Sequence, residues 1–315
     1  MKKIRIGVIG IGHLGNYHLQ KYSTLPHCEI TAVADSVPAR AQEAAGKYGC
    51  LGVADYREII DKVDAVSIAV PTGEHFSVAR DFLAAGVDVL LEKPITDNLA
   101  HADELVALAR KNERIFQVGM IERFNPAVMA LDRLNIRPLF IEAHRLHPYQ
   151  ERGVEVDVVL DLMIHDLDIM LKFVQSPILS VDAAGVAVLS EKTDISNARI
   201  TFACGCIANV TASRLSLKRM QKIRFFEHGG YHSIDYQARD LMSLRIDKSS
   251  QGKREILENR QEILRHDPLE EEVRSFLEAV RERKAPVVTG EAGRDALALA
   301  LMITENMKTV AGDKT

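Results

Sequence analysis

The sequence has no apolar run near the roughly 18 to 20 residues that a membrane-spanning helix requires. It also has no excess of positive charge and few cysteines. Across 315 residues, 40 Lys and Arg stand against 44 Asp and Glu, a formal net charge of -4. No basic run exceeds a surface patch, so neither nucleic acid nor an anionic membrane is an expected partner. The four cysteines, Cys28, Cys50, Cys204 and Cys206, include no CxxC pair. Strand alternation through "ITFACGCIANV" would set Cys204 and Cys206 on one face. Small buried thiols in a reducing cytoplasm are expected, not a disulfide framework or metal centre. The opening "MKKIRIGVIGIGHLG" has the basic-then-apolar order of a signal peptide, but its apolar stretch of about eight residues is broken by glycines. It reads as a first strand and turn, in a cytoplasmic protein.

What is present is ordinary globular composition, 47% hydrophobic and 27% charged, in a chain long enough for two domains. Over residues 1–120 short apolar strands ("IRIGVIG", "EITAVAD", "AVSIAV", "VDVLLEKP", "RIFQVGM") alternate with helical stretches from His13, Pro38, Gly73 and Asp97. That alternation demands a doubly wound parallel sheet, a Rossmann-type α/β domain. "GIGHLG" places Gly10, Gly12 and Gly15 around His13 and Leu14, directly after the first strand and at a helix start, where bare backbone admits a pyrophosphate. The second strand ends in Asp35, where a carboxylate accepts hydrogen bonds from an adenosine ribose and repels a 2'-phosphate. NAD is thereby favoured over NADP, with Arg40 nearby to soften the preference. Pro71, Thr72 and His75 follow the strand at 64–70, at the sheet's carboxyl edge where cofactors lie; a helix start capped by Thr72 is the plainer reading. "LLEKPIT" delivers Glu92 and Lys93 from a buried strand into a turn at Pro94, which restricts the Lys93 backbone to extended conformations.

Residues 121–315 change pattern to an α+β domain with a large, mainly antiparallel sheet. Its last helix, rich in Ala and Leu, is suited to pack back on the first domain. Strands such as "NARITFACGCIANV" are apolar enough to expect a second subunit over the open sheet face, in a homodimer or homotetramer. Within this half, "VVLDLMIHDLDIML" reads as a buried helix on which Asp161, His165, Asp168 and Lys172 fall at i, i+4, i+7 and i+11, one polar stripe. Spacing alone allows a solvated face with an Asp161–His165 pair, a cation held by Asp161, His165 and Asp168, or a reaction centre.

The motifs "GVIGIGHLG" with His18 after it, "EKP" at 92–94, "GMIERFNP" at 119–126, Asp161-x-x-x-His165, and "DPLEEEVRSFLEAV" through "PVVTGEAGRDALALA" together resemble the Gfo/Idh/MocA oxidoreductases over nearly the whole chain. The resemblance implies a sugar-type dehydrogenase that uses NAD(P) and no metal, with Lys93, Asp161 and His165 as the reaction centre. Asp168 has no strong role in that pattern. Many members carry a glycine pair before the catalytic helix, whereas this chain reads "YQERGVEVDVVLDLMIHDLD". In that departure it looks most like the UDP-N-acetylglucosamine 3-dehydrogenases of the lipid A 2,3-diamino sugar route. A nucleotide-sugar diphosphate needs cations, for which Arg123, Arg145, Arg152, Arg214, Lys218 and Arg219 are candidates, with Asn125 beside them. The alternatives are a dehydrogenase of a free polyol or aldose, and a non-catalytic NAD(P)-binding regulator.

Overall fold

Strands buried on both faces pair side by side only where helices cover the sheet above and below. The computed structural model describes residues 3–149, 156–248, 254–260, 263 and 266–309. The chain forms two compact units, Met1–Ile121 with Asp267–Leu297, and Glu122–His266 with Ala298–Thr315.

Among the described residues the first unit holds a six-stranded parallel sheet of β1 (Ile4–Ile9), β2 (Cys28–Ala34), β3 (Leu51–Val53), β4 (Ala65–Ile68), β5 (Asp88–Glu92) and β6 (Phe116–Gly119) in the order β3-β2-β1-β4-β5-β6. Helices α1 (His13–Thr24), α2 (Pro38–Tyr48), α3 (Thr72–Ala84) and α4 (Leu99–Lys111) make the crossovers. The sheet order reverses at β1, so ligands are expected beyond the carboxyl ends of β1 and β4. A late helix, α7 (Pro268–Glu282), also belongs to this unit. Val273, Phe276, Leu277 and Val280 form its apolar stripe and join a core with Ile6, Val8, Leu19 and Tyr22. Asp267 caps α7, accepting from the amides of Leu269 (2.9 Å) and Glu270 (3.3 Å), and takes the Lys21 ammonium at 2.7 Å.

The second unit is a nine-stranded sheet, among the described residues, of β7 (Phe140–Leu146), β8 (Ile178–Val186), β9 (Ile195–Phe202), β10 (Ile207–Ser213), β11 (Met220–Glu227), β12 (Gly230–Asp235), β13 (Asp240–Lys248), β14 (Arg254–Arg260) and β15 (Met307–Thr309), in the order β14-β13-β12-β11-β7-β10-β9-β8-β15. Its pairs are antiparallel except β7 with β10 and β8 with β15. One face buries Ile141, Ala143, Ile200, Phe202, Val210, Ile223 and Phe225 in a core with Val159, Met163, Leu167 and Met170. The α5 helix (Pro126–Asp132) contributes Ala127, Val128 and Leu131 to the same core. The α8 helix (Gly290–Glu305) is divided between the units after Leu297. No helix among the described residues is long and apolar enough to cross a membrane.

Two expectations are corrected. Cys204 and Cys206 do not share a strand: β9 ends at Phe202, and Gly205 at φ +88° turns the chain into β10. Cys204 is exposed there and Cys206 buried. The helix start at α3 is capped by Pro71 without a side-chain bond, so Thr72 is its first residue and not its cap.

Candidate active site

The glycine loop is built by three different constraints. Gly10 has φ +85°, and a Cβ there would stand 2.6 Å from the Ala69 carbonyl oxygen. A Cβ on Gly15 would collide with the Gly10 carbonyl oxygen, so α1 can lie this close to β1 only with glycine. A Cβ on Gly12 would meet nothing within 4 Å. Inside the protein that position has no need of glycine, and its bare face leaves room for a group that approaches from outside. Gly12 is also the cap residue of α1, with no side-chain cap and no acid in the first turn, and His13 and Leu14 lie exposed beside it. The first amides of that turn have no side-chain acceptor at the cap, an arrangement that suits an anion such as a pyrophosphate. Asp35 is pinned next to them: its carboxylate accepts from the Ile11 amide at 2.7 Å and the Val37 amide at 2.8 Å. A carboxylate has about four acceptor positions, so capacity remains for a ribose.

At the carboxyl ends of β4 and β5 the side chains are tied together. His75 is 1% exposed, and its ring lies between the Pro94 carbonyl (Nδ1, 2.8 Å) and the Val70 carbonyl (Nε2, 3.0 Å). Burial pushes its pKa down despite the two carbonyls. It thus joins the turn after β5 to the turn after β4. The Lys93–Pro94 bond is cis, and Lys93 is half-buried. Glu92 is buried; it accepts from His18 Nε2 at 3.0 Å and from the Lys93 amide at 3.3 Å. Behind it His18 Nδ1 meets Ser67 Oγ at 3.1 Å, and Ser67 meets the Tyr22 hydroxyl at 2.7 Å. Glu272 of α7 joins His18 and Glu92 with ligand atoms all within 4.8 Å of one another. Ser67 and Tyr22 carried no motif that marked them in the sequence, and Glu272, though inside "DPLEEEVRSFLEAV", carried no role there.

In the second unit, a π-helical turn, Val159–Met163, leads directly into α6 (Ile164–Val174). Such turns cluster at functional sites because they re-aim side chains. Asp161 lies in that turn, and both Asp161 and His165 are half-buried. The expected single stripe is divided. Asp168 is 1% exposed and bound bidentately by Arg123 (2.6 and 2.7 Å), while Lys172 pairs with Asp132 at 2.9 Å. Burial pushes the Asp168 carboxyl up more than Arg123 draws it down. A cation held by Asp161, His165 and Asp168 is thus not what the fold assembles.

Asp166, off the stripe and fully buried, takes Arg145 at 2.7 and 3.2 Å. Arg145 also reaches Glu122 at 3.0 Å and lies 4.8 Å from the centre of the Tyr236 ring. Burial works against that guanidinium, yet the charges of Asp166 and Glu122 outweigh it and hold its pKa above the usual value. Asn125 is the buried cap of α5, bonded to the Ala127 amide, Glu122 and the Tyr236 carbonyl. Arg214 is buried against Asp194 and the Val156 carbonyl. Of the proposed diphosphate cations, Arg123, Arg145 and Arg214 are therefore engaged internally, Lys218 and Arg219 are exposed, and Arg152 lies outside the described residues.

Comparisons with known proteins identify the family. The model of an oxidoreductase family with NAD-binding Rossmann fold matches residues 4–120. UDP-N-acetylglucosamine 3-dehydrogenase of Acidithiobacillus ferrooxidans is 35% identical over 305 residues, which cover 96% of this chain and 97% of that one. Its solved structure matches with a TM-score of 0.90 at 34% identity over 98% of both chains. Myo-inositol 2-dehydrogenase of Thermotoga maritima is 25% identical over 97% of this chain and 96% of its own. Levoglucosan dehydrogenase in complex with NADH and levoglucosan, 18% identical over 97% of both chains, shares the fold with a TM-score of 0.86. The chain belongs to the Gfo/Idh/MocA family of NAD-binding oxidoreductases.

Proposed function

We propose that the protein oxidises the 3-hydroxyl of UDP-N-acetylglucosamine with NAD. The observation that carries this reading is the likeness, along 96% of the chain, to a dehydrogenase named for that substrate. NAD, when bound, accepts a hydride from the sugar carbon. His165 removes the hydroxyl proton as the C–H bond breaks and the C=O bond forms. The Lys93 ammonium stabilises the negative charge that grows on the oxygen, and Asp161 orients the hydroxyl or the imidazole. The Gly10–Gly12–Gly15 loop holds the cofactor's pyrophosphate, with His13 and Leu14 at its edge. Asp35 holds the ribose and sets NAD above NADP. Pro71, Thr72, His75 and Glu92 shape the cofactor's nicotinamide end. On this reading the enzyme works in the cytoplasm as a homodimer or homotetramer built on the open face of the large sheet.

A second reading, oxidation of a free polyol or aldose, is favoured by one observation. Arg123, Arg145 and Arg214 are neutralised by buried carboxylates or carbonyls, so the diphosphate clamp is left to Lys218, Arg219 and Arg152. Incubating the enzyme and NAD with UDP-N-acetylglucosamine, glucose or myo-inositol separates the two. NADH formation with the nucleotide sugar alone supports the first; formation with myo-inositol or glucose alone overturns it.

A further inference from the structure

We propose that Glu92 is a positioning residue for Lys93, kept as a carboxylate by a one-way chain of buried donors that begins at Tyr22. The chain runs Tyr22 hydroxyl, Ser67 hydroxyl, His18 imidazole, Glu92 carboxylate, at 2.7, 3.1 and 3.0 Å, and the Lys93 amide closes on the other Glu92 oxygen at 3.3 Å. Hydroxyl, imidazole and carboxylate stand in the order of a nucleophilic triad. Ser67 and His18 are both 0% exposed, so no substrate reaches that hydroxyl and the array serves another purpose.

The direction of donation follows from what each group can do. A carboxylate only accepts, so His18 must present Nε2–H to Glu92. Its Nδ1 then accepts, Ser67 donates to it, and Tyr22 donates to Ser67. In this sense every proton has an acceptor. In the reverse sense, or with an imidazolium at His18, Nδ1–H donates to the Ser67 oxygen, and either the Ser67 or the Tyr22 proton must find an acceptor outside the chain.

The charged and titratable groups facing Glu92 agree. Burial opposes the charge on Glu92, but the hydrogen bond from His18 of α1 and the Lys93 charge outweigh it and hold its carboxyl below the usual range; the other ring facing it, His75 of α3, is itself pushed toward the neutral form by burial. Glu272 from α7 is fully buried, and burial with the nearby Glu92 charge pushes its carboxyl well above the usual range. Of the two acids, Glu92 is the one with hydrogen-bond donors on its oxygens, and it is the residue that precedes Lys93. Glu92 is held from both sides: one oxygen by His18, the other by the Lys93 backbone. The point at which the Lys93 side chain leaves the chain is thus fixed by bonds to a buried and immobile group.

For its effect on turnover the proposal rests on the dehydrogenase reading; for the direction of the chain it does not. Histidine-labelled protein, free of substrate, reports the ring state of His18 by nitrogen NMR. A neutral ring with the proton on Nε2 is expected, while an imidazolium or the Nδ1–H form overturns the chain. Glu92→Gln should lower kcat by about a hundredfold, the effect of a displacement near 1 Å, with KM for the sugar within about threefold. Unchanged kcat, or a KM for the sugar that rises as far as kcat falls, overturns the positioning role. Glu272→Gln should keep the His18 Nε2–H signal, because the carboxylate that holds this proton is that of Glu92. Loss of that signal would show that Glu272 is charged and part of the chain, which contradicts it. An inactive wild-type enzyme with the expected His18 signal refutes the substrate reading alone.

Discussion

At the scale of single residues, the most telling position is Gly12, where the protein leaves open space that a side chain could fill without clash. Gly10 and Gly15 are explained by their own neighbours; Gly12 is not, and the proposed cofactor supplies its reason. Asp35, held by the Ile11 and Val37 amides, is the proposed ribose group. Asp35→Ala should weaken NAD binding by about tenfold, the loss of one or two hydrogen bonds to a charged acceptor. It should also narrow the advantage over NADP; identical NAD and NADP affinities before and after would remove Asp35 from that role. His165→Ala should reduce kcat by about 10²–10⁴-fold, the usual worth of a general base, with NADH affinity unchanged in fluorescence titration. A residual rate near wild type would exclude it as the base.

At the scale of elements, the helix that carries Asp161 and His165 is anchored by two buried arginine–carboxylate contacts, Arg145–Asp166 and Arg123–Asp168. Removing one partner leaves a buried charge unpaired. Asp166→Asn should cost about 3–5 kcal/mol in urea unfolding, and a loss under 1 kcal/mol would mean that the Arg145 charge is solvated or held by Glu122 alone. A second element-scale device is the turn before β9. Burial opposes ionisation of Asp194, but the amides of Ser190, Leu189 and Val188 and the Ser190 hydroxyl hold its pKa down to about 2. Its folded pKa lies below the unfolded value of 3.8, so it stabilises the fold above that pH and loses the contribution as pH falls toward about 2. The amount is about 2 kcal/mol. Asp194→Asn should therefore flatten the stability curve between about pH 4 and 2; a curve unchanged from wild type would contradict the assignment. These elements also mark where sequence reading ends. The glycine loop, Asp35 and the strand ending in Glu92 and Lys93 were legible because backbone demands and short-range order write them locally. Asp166 was not, since its partner Arg145 lies on β7, and neither the spacing 161, 165, 168 nor a hydrophobic pattern signals a contact made across the fold. The π-helical turn was equally silent, because the sequence through it keeps an α-helical apolar pattern.

At the scale of the whole molecule, the parallel sheet followed by a larger, mainly antiparallel one was legible from the alternation of strand and helix and its later loss. Less legible was the return of α7 to the core of Ile6 and Leu19, since a chain order says nothing of which core a late amphipathic stripe will join. The open face of the large sheet carries Phe140, Phe226 and Tyr231 in successive ring contacts of 5.9 and 5.0 Å, with Ile246 and Ile256 52% and 71% exposed. If subunits pair there, Tyr231→Glu should shift sedimentation to a monomer with the circular dichroism retained; an unaltered oligomer would place the interface elsewhere. Lys93 is the group proposed to stabilise the charge that grows on the sugar oxygen as NAD takes the hydride. The most direct measurement is NADH formation from UDP-N-acetylglucosamine by the wild-type protein and by Lys93→Met at matched NAD saturation. The account predicts turnover by the wild type and a loss of about 10²–10³-fold in the variant, the worth of one charge-stabilising donor. Equal rates in the two proteins would contradict it.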